Sequence, residues 1–150
     1  MDWKAQIDSC FKNKIMEQKG LTKEEIIAML DNIVIPAFQE IEQELRKHIK
    51  KVKMQRHRYK AKIKFEEKGL KSEFHVSLTP RSNYIHFPYV IDKTWCSGEM
   101  LKLDFPIKLN KKDVIKRFMK FFRNRDSERK DIENKKLLSA LWKMLVALDF

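Results

Sequence analysis

Four stretches decide the fold: YKAKIKF (59–65), FHVSL (74–78), IHFPYVI (85–91) and LKLDFPIKL (101–109). Each alternates apolar and polar residues. The apolar sets are Tyr59, Ala61, Ile63, Phe65; Phe74, Val76, Leu78; Ile85, Phe87, Tyr89, Ile91; and Leu101, Leu103, Phe105, Ile107, Leu109. Period-two alternation marks a strand with one dry and one wet face. A two-residue turn at Gly69-Leu70, glycine first as a type II′ turn wants, sets Phe65 opposite Phe74 and Ile63 opposite Val76. A turn at Arg81-Ser82 sets Phe74 opposite Tyr89 and Val76 opposite Phe87; Phe87 then faces Phe105, and Tyr89 faces Leu103. A one-residue slip would throw a whole apolar set to the wrong face, so the agreement constrains the register. The expectation is a four-stranded antiparallel meander over about 58–66, 72–79, 84–91 and 100–109.

Outward from the meander the pattern becomes helical. Before it, Trp3, Ile7, Cys10, Phe11 and Ile15 recur at helical spacing, with Gly20 placed to cap the helix C-terminus. Thr22 and Glu25 form a capping-box pattern, and Leu21 with Ile26 a hydrophobic staple. Ile26, Leu30, Val34, Phe38, Ile41, Leu45, Ile49 and Val52 then advance by steps of four or three, one stripe along a helix of about eight turns. Pro36 removes the hydrogen bond to the Asn32 carbonyl, and the stripe keeps phase across it, which predicts a single kinked helix.

After the meander, Asn110 can cap a helix carrying Val114, Ile115, Phe118, Phe121 and Phe122. Arg123-Asn124-Arg125-Asp126-Ser127 reads as a break, with Asp126 or Ser127 capping a last helix through Ile132, Leu138, Leu141, Leu145 and Leu148. The expected architecture is α+β, one domain over 1–150, with two helices before the sheet and two after it packed on its apolar face.

Composition bounds the function. Hydrophobic residues at 43% and charged ones at 36% fit a soluble globular protein, and 150 residues can enclose a core. Cys10 and Cys96 are the only cysteines, without a CxxC pair, so neither a disulfide framework nor a zinc site is signalled. Two isolated thiols and no basic-then-apolar leader point to a cytoplasmic protein. The apolar run 137–150 is too short to span a bilayer. No cofactor motif is present.

The net charge of +12 is segregated. Residues 1–45 carry 5 basic and 9 acidic side chains, residues 46–64 carry 10 and none, residues 65–110 carry 6 and 6, and residues 111–150 carry 12 and 6. The second segment offers an anion-binding face made of Lys50, Lys51, Lys53, Arg56 and Arg58 at the helix exit, then Lys60, Lys62 and Lys64 on the first strand's wet side. Tyr84 on the same wet face could stack on an unpaired base. Lysines defending an edge strand against aggregation explain three of these cations, but not ten without one acid.

Other candidates carry less. The wet-face register places Lys62, Ser77, His86 and Pro106 in one row, and Lys64, His75, Pro88 and Asp104 in the next. His75 and His86 are diagonal neighbours, but the lysines beside them would repel a cation and no ligand triplet has a recognised spacing. Cys96 and Ser97 sit in an expected loop, 92–99, with no base assigned to them, and Trp95 is expected to anchor that loop. Leu137, Leu138, Leu141, Trp142, Leu145, Val146 and Leu148 cover more than one face of the last helix. That helix is therefore either the central core helix or the closure of a homodimer through Leu141, Trp142, Leu145 and Leu148.

The favoured function is a non-enzymatic basic module contacting nucleic acid or another polyanion. The alternative is a protein-interaction or structural module that dimerises through its last helix. The order of elements resembles ribosome-dependent toxin nucleases in fold alone, with no shared residue motif, which leaves a small ribonuclease-like protein as the third reading.

Overall fold

The computed structural model describes residues 2–17, 20–104 and 107–148, with the side chains of 12–17 and 148 excepted. It is an α+β fold with a five-stranded antiparallel sheet, and helices before and after it. In chain order the elements are α1 (Trp3–Glu17), α2 (Lys23–Met29), a π-helical turn (Leu30–Val34), α3 (Ile35–Arg46), β1 (Lys51–Arg56), β2 (Lys60–Glu67), β3 (Leu70–Leu78), β4 (Tyr84–Ile91), β5 (Thr94–Lys102) and α4 (Lys111–Leu148). The strands lie in sequence order across the sheet.

The capping box forms as the sequence implies. The Glu25 amide donates to Thr22 Oγ1 at 3.1 Å, and the Thr22 amide donates to Glu25 Oε1 at 3.2 Å. Leu21 and Ile26 are both buried beside it. Gly20 is not a left-handed helix cap, and Gln18 and Lys19 lie outside the described residues. What Gly20 allows is close approach: a Cβ there would sit 2.2 Å from the Arg81 carbonyl carbon. The neighbouring backbone hydrogen bonds, Leu21 N–H to Ser82 O and Arg81 N–H to Leu21 O, hold the two segments together at 2.9 and 2.8 Å.

Pro36 is accommodated by a π-turn immediately before it. The Ile35 amide reaches back to the Leu30 carbonyl, five residues away, and the helical path continues through α3. Widening a turn is a recognised way to relieve the clash a proline ring makes with the preceding turn. The helix ends at Arg46, not near Val52 as expected. Ile49 and Val52 keep helical phase with Leu45, but Lys51–Arg56 pair with β2 instead, Val52 facing Phe65 and Met54 facing Ile63. The sheet therefore gains an edge strand that the helical pattern concealed.

The β2–β3 turn is Lys68-Gly69, with φ of 51° and 79°, not Gly69-Leu70. Two positive φ values make the twist of a type I′ hairpin turn. The register shifts by two residues, so faces are kept and partners change: Phe65 faces Ser72, Ile63 faces Phe74, and Ala61 faces Val76. On the wet side Lys62 now pairs with His75, Lys64 with Glu73 and Lys60 with Ser77. The β3–β4 register is as expected, Phe74 opposite Tyr89 and Leu78 opposite Ile85.

The expected loop 92–99 is not a loop. Asp92-Lys93, both at positive φ, make a tight turn, and β5 begins at Thr94. The fourth strand thus lies several residues earlier than the alternation at 101–109 suggests, and Leu109 packs into the core beyond the strand. Phe105, expected opposite Phe87, and Pro106 lie outside the described residues. A bulge opposite Phe87–Tyr89, with Gly98 at φ 64°, shifts the phase within β5. It explains why simple alternation fails there.

The core fills the inner face of the sheet. Phe38 of α3 lies against Phe74, and Phe74 stacks with Phe87 and with Phe121 of α4. Phe65 meets Phe118, Phe121 and Phe122. Asn110 caps α4 as expected: its Oδ1 accepts from the Asp113 amide at 3.0 Å, and Asp113 Oδ2 accepts from its amide at 2.9 Å. The expected break at 123–127 is absent, and α4 runs unbroken through Asp126 and Ser127. Arg125 is buried at that point, ion-paired with Glu67, and Tyr89 donates to Glu128 one turn on. These ties to β2 and β4 hold the turn helical against its local capping signals.

From Glu133 to Ala147, α4 is exposed. Leu137, Leu138, Leu141, Trp142, Leu145 and Val146 all face solvent, so this segment is not the core helix. No helix among the described residues is long and apolar enough to cross a membrane.

Candidate functional site

Helices cover the inner face of the sheet and leave the outer face open. Because β1 pairs with β2, the outward lysines of two adjacent strands share one surface: Lys51 and Lys53 from β1, and Lys60, Lys62 and Lys64 from β2. Lys71 of β3 extends it, in one row with Glu66 and Lys51. Two acids lie among them. Glu66 Oε2 is 3.6 Å from Lys51 Nζ, and Glu73 Oε1 is 3.5 Å from Lys62 Nζ. Lys53, Lys60 and Lys64 have no carboxylate at ion-pair distance among the described residues.

The remaining cations proposed from the sequence are dispersed. Arg56 turns away from this surface to meet Asp31 Oδ1 of the π-turn at 2.8 Å. Arg58 lies in the β1–β2 connection with its guanidinium 5.1 Å from the Tyr59 ring centre, and Lys50 sits just before β1. Tyr84 is on the outer face, opposite Lys102 of β5, and exposed.

The part of this face that sequence reasoning missed lies on β5. Trp95 is 65% exposed and lies outward, not tucked under a loop. Its ring centre is 4.9 Å from that of His75, which it helps to bury. Met100, also exposed, pairs with His86 farther along the same face. The face is thus divided, with lysines on β1 and β2, Trp95 against His75 toward one end of β3 to β5, and Tyr84, Met100 and His86 toward the other. The signal that could have located Trp95 is the Asp92-Lys93 turn, obscured because neither residue is glycine.

The outer histidines are not metal ligands in a ready cluster: no group of three ligating side chains occurs among the described residues. Burial pushes the His75 imidazole below its ordinary value, with Lys62 and Lys60 adding to the shift and Glu73, 3.3 Å away, opposing it. His75 is therefore neutral at neutral pH. His86 contacts the Ser97 carbonyl through Nε2.

Cys96 lies on the opposite face of the sheet from both histidines, paired with Tyr89 toward α4. Burial and the Glu128 carboxylate raise its thiol above the ordinary range, the reverse of what an activated nucleophile needs. Beside it is a cavity of about 340 Å³ between β4, β5 and α4, floored by Phe74, Phe87 and Phe121. Glu99 at its rim is held below its usual carboxylate range by Lys120 and Arg117, whose Nε is 3.0 Å from it. With Glu128 also lining it, the cavity's two cations are matched by two carboxylates.

Comparison with protein-family models, with curated proteins and with solved structures finds no match to this chain.

Proposed function

We propose that the outer face of the sheet binds nucleic acid through Lys53, Lys60 and Lys64, with Lys51, Lys62 and Lys71 around them. The observation that carries this reading is the position of β2. It is an interior strand, flanked by β1 and β3, so its lysines have no edge to defend. Lys53 and Lys64 stand directly opposite each other across β1 and β2, where like charges repel, and a polyanion along them relieves that repulsion. Alternate residues on a strand are roughly 6.8 Å apart, a spacing a phosphate backbone can follow. Binding is tested by the shift of labelled nucleic acid over a range of salt. Absence of binding at low salt would overturn the reading.

A second reading concerns α4 and is compatible with the first. Leu141, Trp142 and Leu145 are 46%, 68% and 58% exposed on the projecting segment of the helix. Apolar side chains around such a segment favour association with a second copy of the chain. Leu148 lies outside the residues whose side chains are described. The mass in solution, measured against concentration, tests this reading.

A further inference from the structure

Trp95 and the lysines of β2 share one face but stand on opposite halves of it. Val90 faces Trp95 across β4 and β5, Glu73 faces Val90 across β3 and β4, and Lys64 faces Glu73 across β2 and β3. Trp95 is therefore three strands from Lys64, about 14 Å at the usual strand spacing. Between them lie buried Val90 and half-buried Glu73, with buried His75 packed against the indole. Tyr84 and Met100 are exposed on the same side as Trp95, and Lys102 lies opposite Tyr84. One half of the face offers charge and the other offers flat, exposed side chains.

We propose that this face selects single-stranded nucleic acid, stacking an unpaired base on Trp95 while the sugar-phosphate chain runs over the lysines of β1 and β2. The proposal rests on the polyanion reading above and narrows it. Charge complementarity chooses the occupant: both outer-face acids on β2 and β3 are already matched to Lys51 and Lys62, which leaves Lys53, Lys60 and Lys64 uncompensated. The form of the ligand follows from Trp95. An indole gains from a π-face, and every base has one, but in a duplex these faces are stacked inside the helix. A broad sheet face also does not fit the major groove of an undistorted duplex as a helix or a two-stranded ribbon does. An extended single strand meets both requirements, since one unpaired base can stack on Trp95 while phosphates farther along the strand reach the lysines.

His75 supports the platform from below. Its ring packs against one side of the indole, 4.9 Å between centres, while Trp95 stays 65% exposed.

The test uses the full chain with Trp3→Phe and Trp142→Phe, so that Trp95 is the only indole. Oligo(dT), oligo(U) and a DNA duplex of equal length are titrated at matched salt. Both single strands are expected to quench Trp95 fluorescence, and the duplex is expected to bind without that quench. Trp95→Ala should weaken single-strand binding by about tenfold and leave duplex binding within about twofold. Trp95→Phe should recover most of the loss. Should Trp95→Ala fail to fold, the fluorescence titration decides. Binding of all three ligands with no quench, or equal loss for single strand and duplex, overturns the stacking proposal and leaves the polyanion reading standing. Binding of none at low salt overturns both.

Discussion

The guanidinium of Arg125 lies 4.6 Å from the ring centre of Phe122 and 5.2 Å from that of Phe65, joining α4 to β2 at the point where the chain's local signals favour a break. Its ion pair with Glu67 completes the tie. A residue that reads as part of a polar connector is thus a buried clamp. Arg125→Ala should cost about 2 kcal/mol, chiefly through lost packing and ring contacts, since Glu67 can return to water. Arg125→Lys should recover only part, because an ammonium cannot lie flat on two rings. Urea unfolding measures both. A fully stable Arg125→Ala variant would show that the tie is dispensable.

Gly20 permits the backbone contact between the start of α2 and the β3–β4 connection. Gly20→Ala should separate Leu21 from Ser82 and cost about 1–3 kcal/mol. Thr22→Ala two residues away should cost about 1 kcal/mol through the lost cap alone. Thermal or urea unfolding of each single variant tests the difference in cause; an Ala at 20 without effect would refute the close approach.

The buried His75 makes stability depend on pH in a defined direction. Its folded-state value lies below the ordinary 6.5, so the unfolded chain takes up the proton more readily. Stability should therefore fall as pH drops below about 6.5 and stop falling, from this source, below the depressed folded value. Above 6.5 the contribution is complete. His75→Gln should show a shallower loss between about pH 7.5 and pH 5.5 than the parent protein. Parallel profiles would remove His75 as the cause.

On a nucleic-acid strand, each lysine–phosphate contact releases condensed counterions, so log affinity should fall linearly with log salt. Lys60→Gln with Lys64→Gln should flatten that slope by about 1.4 units on single strands. Adding Lys62→Gln should contribute less than either, since Glu73 already compensates it. An unchanged slope in the double variant would place the phosphates elsewhere.

The projecting segment of α4 can be tested without disturbing the core. Leu141 is 46% exposed, so Leu141→Glu should leave stability within about 0.5 kcal/mol. If a second copy covers this segment, the substitution should also convert a concentration-dependent dimer into a monomer. A parent protein whose mass stays that of one chain at high concentration would eliminate the dimer.

Sequence alone determined the features that depend on near neighbours. The Thr22–Glu25 box closes within four residues, and Asn110 caps α4 in the same way. The alternation over 60–65, 74–78 and 85–91 assigns each residue to a face, and burial of Ile63, Phe74, Val76 and Phe87 follows it. The outward lysines of β2 were legible for the same reason. Parity survives even where the turn is misplaced, because a two-residue register shift keeps every side chain on its own face.

Tertiary structure alone decided what two local patterns could satisfy equally. Val52 fits both a helical stripe and a strand, and its pairing with Phe65 settles the matter. Asp126 and Ser127 are good caps, but Arg125 and Glu128 gain partners on the sheet only if α4 continues. In β5, the Gly98 bulge breaks the period on which recognition of a strand depends, which hid the placement of Trp95 over His75. Each of these outcomes turns on contacts between residues far apart in the chain, and local propensity is too weak to oppose them.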